Sequence, residues 1–231
     1  MIDEAKKRGI RYLAGVEVAA TLQGKEHHIT CYGGSLEDVQ LQALLGGNRK
    51  TREDGNEDMI RHLAASDSRV DPSQFQDYSY ERVRGGWSSL NYLLDVGVVR
   101  DLPHFFELLH PLGITTEFRH PADVIQVLHN AGCVVILAHP SAYTSESELP
   151  VQRLAEWIEY GIDGVECYTP YNDSPVVSKF YVSFCYEKEL LVSGGSDCHG
   201  PFLTRELGVP CVTSDMIDAE FIVQGSGGPG G

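Results

Sequence analysis

Asp197 and His199 stand two positions apart at the end of the apolar run Leu191-Val-Ser-Gly-Gly-Ser, and a carboxylate and an imidazole at that spacing suit a divalent cation. In extended backbone, residues i and i+2 point the same way, and the Gly-Gly-Ser break lets the chain turn freely there. A second apolar run, Cys133 to Ala138, ends in His139-Pro140, where the proline closes the strand. Strands that drop ligand residues at their carboxyl ends are how α/β barrels build active sites. Two more candidates lie near the amino end: Glu17, at the end of an apolar approach, and His28, on a returning extended segment. Carboxylate and imidazole donors together suit zinc, iron or manganese.

The elements that must position these groups are legible from periodicity. Residues 3–8 read as the last turns of a helix with Gly9 as its stop, and residues 10–21 and 27–32 read as a hairpin around Gln23-Gly24-Lys25. Between Ser35 and Arg119 the pattern changes to alternating charges with helical candidates near 36–46, 51–66, 72–78, 89–97 and 101–110. Beyond it, strands at 133–138, 164–168, 190–193 and near 207–213 alternate with helices at 121–130, 150–160 and 174–188, which indicates βα units and a parallel sheet. Pro121 fits a helix N1 position, and Gly132 and Gly161 fit the position just past a helix end. The expected organisation is an α/β barrel portion over 1–35 and 120–216, a helical insertion over 36–119 acting as a lid, and a flexible Gly-rich tail over 217–231.

Composition narrows the function classes. The chain has 231 residues and a formal net charge of −15 at pH 7, so a broad electrostatic surface for nucleic acid is not expected, although a nucleotide substrate remains compatible through bound cations. The longest apolar stretch, around Val134 to Ala138, is far short of the roughly 20 residues that a bilayer requires. Residues 1–20 do not read as a signal peptide, which makes the cytoplasm the expected compartment. Six cysteines with no Cys-x-x-Cys spacing read as buried thiols rather than a disulfide framework.

Four spots, Gly15-Val16-Glu17, His27-His28-Ile29, Leu137-Ala138-His139-Pro140 and Gly195-Ser196-Asp197-Cys198-His199-Gly200, together resemble the second half of the motif set of the polymerase and histidinol phosphatase (PHP) superfamily of metal-dependent phosphoesterases. The stretch Gly161-Ile-Asp-Gly-Val-Glu166 is also similar. The resemblance implies a distorted (βα)7-type barrel with two or three divalent ions at the strand carboxyl ends, and hydrolysis of a small phosphorylated substrate. It implies that Glu17 bridges two ions and that His28 and His139 complete one of them. Asp197 would serve the other ion of that pair and His199 a third. Glu17, His139 and Asp197 would form the catalytic centre. The superfamily's opening His-x-His, Ser-Asp-Gly and Asp-His segments do not occur in the sequence. The expectation is therefore an N-terminally incomplete barrel that keeps a single ion, has weak or absent activity, and has an open strand edge favouring a homo-oligomer.

Within the His27-His28 pair, alternation allows only one imidazole to face the site; the spacing to Ile29 and Tyr32-Gly33-Gly34 favours His28. Arg84 and Arg119, with Arg82, are candidate clamps for a substrate phosphate, because guanidinium forks suit phosphate. Two other readings compete with phosphoester hydrolysis. One is a non-catalytic metal-binding or scaffold module derived from the same fold. The other is amide hydrolysis, for which the sequence offers no identifiable carbonyl-orienting group.

Overall fold

The computed structural model describes residues 2–9, 12–113, 115–200 and 205–220. A short helix α1, Ile2–Lys7, ends at Gly9, whose φ of 64° is the left-handed stop that the sequence predicts. Strands β1, Gly15–Leu22, and β2, Lys25–Gly33, then form an antiparallel hairpin turning at Gln23 and Gly24, both with positive φ. Helix α2 spans Val39–Ala64, followed by α3, Pro72–Gln76, α4, Ser88–Asp95, and α5, Leu102–Leu109. The carboxyl half alternates α6, Pro121–Asn130, β3, Cys133–Leu137, α7, Val151–Tyr160, β4, Gly164–Tyr168, α8, Pro175–Glu187, and β5, Leu191–Gly194.

Two expectations are corrected. The two helices expected at 36–46 and 51–66 are one helix of 26 residues running through Gly46 and Gly47; glycine weakens a helix but does not have to end one. Residues 207–213, read as a last strand, form turns and irregular backbone. Of the flexible tail expected over 217–231, residues 221–231 lie outside the described residues, whereas Ile217 packs against the main core and Asp218 hydrogen-bonds the Val192 backbone.

The five strands form one mixed sheet in the order β1-β2-β3-β4-β5. The β1/β2 and β2/β3 pairs are antiparallel, and the β3/β4 and β4/β5 pairs are parallel. The parallel βα run is therefore as the alternation of elements indicates, while five strands, not seven, are described.

The chain divides into two compact units: residues 1–45, 118–196 and 208–231 in the first, and residues 46–117 and 197–207 in the second. In the second unit, Met59, Ile60, Leu63, Phe75, Leu90, Leu93 and Phe105 form a core of their own. In the first, Leu41 and Leu44 from the start of α2 join the core of the sheet, so the first turns of the expected insertion pack with the sheet.

One face of the sheet is buried against helices. Val18, Ala20, Ile29, Cys31, Val135, Leu137, Val165 and Val192 meet Val124, Leu128, Leu154, Trp157 and Tyr181 in a continuous core. Period-two alternation sends their strand neighbours Glu17, His28, Thr30, Tyr32 and Glu166 to the other face. On that second face Val134 and Ile136 pack with Leu13, Tyr32 and Leu191.

The parallel strands run very close at Gly164, where a Cβ would lie 2.4 Å from the Leu191 carbonyl oxygen and 2.7 Å from Ile136 Cδ1. Gly164→Ala is therefore expected to destabilise the protein by about 1–3 kcal/mol through overpacking, as a lower midpoint in chemical denaturation; an unchanged midpoint would contradict the close approach.

Candidate metal centre

Three predicted ligands converge on the face of the sheet opposite the main core. The β1/β2 register pairs Glu17 with Thr30 and Ala19 with His28, so Glu17 and His28 are diagonal neighbours on one face. His27 points the other way: it is 2% exposed, and its ring lies 4.3 Å from that of Tyr143 and 5.4 Å from that of Trp157. Its Nδ1 lies 3.0 Å from the Lys25 carbonyl oxygen, and burial lowers its pKa. The two adjacent imidazoles thus divide between core and site.

His139 reaches the same point from the end of β3. Leu137 faces the core, so continued strand geometry would send residue 139 there too. Instead His139 has φ 31° and ψ 60°, left-handed for a non-glycine residue and directly before Pro140. Such a conformation costs on the order of 1–3 kcal/mol and persists only where the surroundings hold it. The turn brings His139 Nε2 to 3.2 Å from His28 Nδ1 and 3.7 Å from Glu17 Oε2, while His28 Nδ1 is 2.8 Å from Glu17 Oε1.

These three separations bracket the roughly 3.3–3.6 Å edge of a tetrahedron built with bonds of about 2.0–2.2 Å. One atom from each of Glu17, His28 and His139 falls in a group whose members all lie within 4.8 Å of one another. Two imidazoles and a carboxylate around one point match a borderline divalent cation such as zinc, leaving a fourth position open. The donor set fits a metal.

Carboxylates hold the set from behind. Glu26, two residues before His28 on β2, has Oε1 2.8 Å from His28 Nε2. The Tyr143 hydroxyl accepts the backbone N–H of His28 at 2.8 Å. Glu166, on β4, accepts the backbone N–H of His139 at 2.7 Å. The reading of the sequence missed Glu26 and Tyr143 as parts of the site; Glu26 shares the parity of His28, which is the signal that could have found it.

Without an ion, a proton occupies the place between the ligands. Burial alone would lower the pKa of His28, but hydrogen bonds to Glu17 and Glu26 push it up to about 9. For Glu17, burial would raise the pKa, yet hydrogen bonds with His139 and His28 hold the carboxyl far below the usual carboxylate range. The metal-free centre is therefore a protonated His28 between two carboxylates.

The remaining predicted residues are placed differently. Asp197 and His199 belong to the second unit. His199 Nδ1 lies 3.4 Å from Asp197 Oδ1, so the i, i+2 spacing does bring the two side chains together. The Asp197 carboxylate is ion-paired with Arg205. Arg84, a candidate phosphate clamp, has its fork filled by both oxygens of Asp95, at 2.7 and 2.9 Å. Arg119 is exposed, and its carbonyl oxygen accepts the N–H of Thr21.

No family model matches the chain. A 5′-3′ exoribonuclease of Haemophilus influenzae is 24% identical over 232 residues, which cover 94% of this chain and 81% of that protein. Among solved structures, one from Bifidobacterium adolescentis assigned as a metal-dependent phosphoesterase superposes with a TM-score of 0.80 at 20% identity, over 99% of this chain and 81% of the other. An amidohydrolase from Chromobacterium violaceum, solved with sulfate and no metal, gives a TM-score of 0.68 at 22% identity, over 94% and 83% of the two chains. The chain shares the fold of these two solved structures.

Because His28 must lose its proton to become a ligand, metal binding releases that proton. The affinity for a divalent ion is expected to fall by up to about tenfold per pH unit below the His28 pKa of about 9. Calorimetric titrations with zinc in buffers from about pH 6 to 9 measure this; an affinity independent of pH across that range would contradict it.

Proposed function

We propose that the chain is a metal-dependent phosphoesterase, with Glu17, His28 and His139 holding a divalent ion and a small or nucleotide-like phosphate ester as substrate. The convergence of these three donors at tetrahedral-edge separations carries the reading. When bound, a divalent ion supplies Lewis-acid charge that neutralises phosphoryl oxygens and makes water acidic near neutral pH. The protein's own groups prepare the site. Glu17 supplies the negative charge, and His28 and His139 supply neutral nitrogens once His28 has given up its proton. Glu26 fixes which nitrogen of His28 faces the site, in the way carboxylates orient histidine ligands.

The fold supports the same reading, and we take the five strands as the corresponding part of the superfamily's barrel. The helical second unit is proposed as a substrate-covering lid. Among the proposed phosphate clamps we favour Arg119, since Asp95 already fills the fork of Arg84. To Asp197 and His199 we assign no ion, because Arg205 neutralises the carboxylate. The exoribonuclease relative favours a nucleotide-like ester, while the net charge of −15 favours a short substrate over long nucleic acid tracts.

The test is incubation of the full chain with manganese or zinc and a panel of esters: p-nitrophenyl phosphate, nucleoside monophosphates and a short 5′-phosphorylated oligoribonucleotide. Metal-dependent release of phosphate or nucleotide is expected. Absence of turnover on the whole panel, with an ion demonstrably bound, would favour a second reading, a non-catalytic metal-binding module. Three ligands without a committed partner site in Asp197 are the observation behind that alternative.

Metal content checks the assignment directly. His139→Ala is expected to weaken zinc binding by more than about tenfold, seen as loss of the ion from the dialysed protein by elemental analysis. Full retention would remove His139 from the centre.

A further inference from the structure

We infer that Glu166 is a positioning residue that aims His139, a role that rests on the metal-centre reading and deepens it. Glu166 lies on β4 between the ends of β3 and β5, with Leu137 paired to Val165 on one side and Glu166 paired to Ser193 on the other. One of its carboxylate oxygens accepts the His139 N–H at 2.7 Å. The other faces the exit of β5, where a Cβ at Gly195 would stand 2.9 Å from it. Gly195 is fixed there in turn by its own N–H, donated to the Tyr168 carbonyl at 2.9 Å. One carboxylate thus bridges the approach to the site from two neighbouring strands.

The geometry shows why His139 needs such a partner. Strand parity would turn its imidazole into the main core beside Leu137, whereas the left-handed turn at φ 31° places Nε2 against Glu17 and His28. Pro140 cannot donate a backbone hydrogen bond and disfavours helical backbone in the residue before it; the His139 carbonyl accepts the Ala142 N–H at 2.9 Å, so the carbonyl side of the turn is held and the N–H side needs an acceptor of its own. On the imidazole, Nδ1 is buried without a hydrogen-bond partner, and Nε2 meets the site groups His28 and Glu17. The N–H to Glu166 fixes the other side of this backbone, and hydrogen bonds to an ionised acceptor are about twice as strong as neutral ones.

Glu166→Ala removes the acceptor, and Glu166→Gln keeps an acceptor oxygen of the same reach. The full-length chain is titrated with zinc at one fixed pH by calorimetry, and the backbone amide of His139 is followed by NMR in the metal-free state. A charge-assisted hydrogen bond holds that amide proton far downfield. Glu166→Ala is expected to weaken zinc binding about tenfold or more and to move the amide proton upfield, whereas Glu166→Gln restores most of the affinity. A folded Glu166→Ala protein that binds zinc as the wild type does would overturn the inference. So would an unmoved His139 amide. Should the wild type bind no zinc at all, the metal-centre reading fails by itself, and the His139 amide still decides whether Glu166 holds the turn. Gly195→Ala, which presses a methyl group on the same carboxylate, is expected to shift the His139 amide in the direction of Glu166→Ala; an unaffected amide there would also count against the clamp.

Discussion

The register of β2 governs the site, and burial of Ile29 and Cys31 governs the register. A one-residue slip of a strand moves every side chain to the opposite face. On β2 such a slip would bring His27 to Glu17 and force His28 against Trp157 and Tyr143. What prevents it is the apolar face itself: Ile29 and Cys31 share the parity of His27 and are almost completely enclosed. Their burial, at about 25 cal/mol per Å² of apolar surface removed from water, outweighs any preference of one imidazole over the other. The polar site is thus located by apolar packing on the reverse of the sheet.

The same sheet explains why opposite charges accumulate on one face. Glu17, Glu26 and Glu166 all have site-side parity, and each has its negative charge answered locally: the first two by His28, the third by the N–H of His139. Carboxylates this close together repel unless a cation or a donor stands between them. In the metal-free protein the cation is the proton of His28. A group whose folded pKa is raised in this way stabilises the fold fully below its unfolded value, near 6.5, and loses that contribution as pH rises through about 9. At alkaline pH the cluster is therefore short of positive charge, the condition under which a divalent ion binds best.

Much of this was legible in the sequence, for identifiable reasons. The βα alternation after residue 120 appeared because Pro121, Gly132 and Gly161 sit at helix boundaries where their backbone properties are needed; Gly132 and Gly161 do have positive φ. The hairpin was legible because its turn falls at Gln23-Gly24. The candidate metal ligands Glu17, His28 and His139 were readable from strand contexts and resemblance together. Less was readable wherever a tertiary contact overrode local chemistry. Helix α2 passes through Gly46-Gly47 because Leu41 and Leu44 at one end, and Met59, Ile60 and Leu63 at the other, are each anchored in a core. Residues 207–213 have apolar positions yet form no strand, and Leu207 and Val209 are exposed. The pairing of Asp197 with Arg205 depends on a loop that no periodicity describes.

His139 shows most clearly where pattern stops and geometry begins. Alternation along β3 predicts the wrong face for it, and His-Pro by itself says only that a strand ends. The imidazole reaches Glu17 because the backbone adopts a conformation that an L-residue before proline ordinarily avoids. Asp197, at the end of β5, shares this property with φ 44°, and Gln23 and Glu189 are the other non-glycine residues with positive φ among those described. Gln23 occupies a hairpin turn and Glu189 follows the end of α8, where such backbone is routine. His139 follows β3 and leads into a 3-10 turn over Pro140–Tyr143, and Asp197 lies in the loop after β5. At His139 the strained backbone aims the imidazole at Glu17, since a strand that simply ended would relax into the β region at no cost.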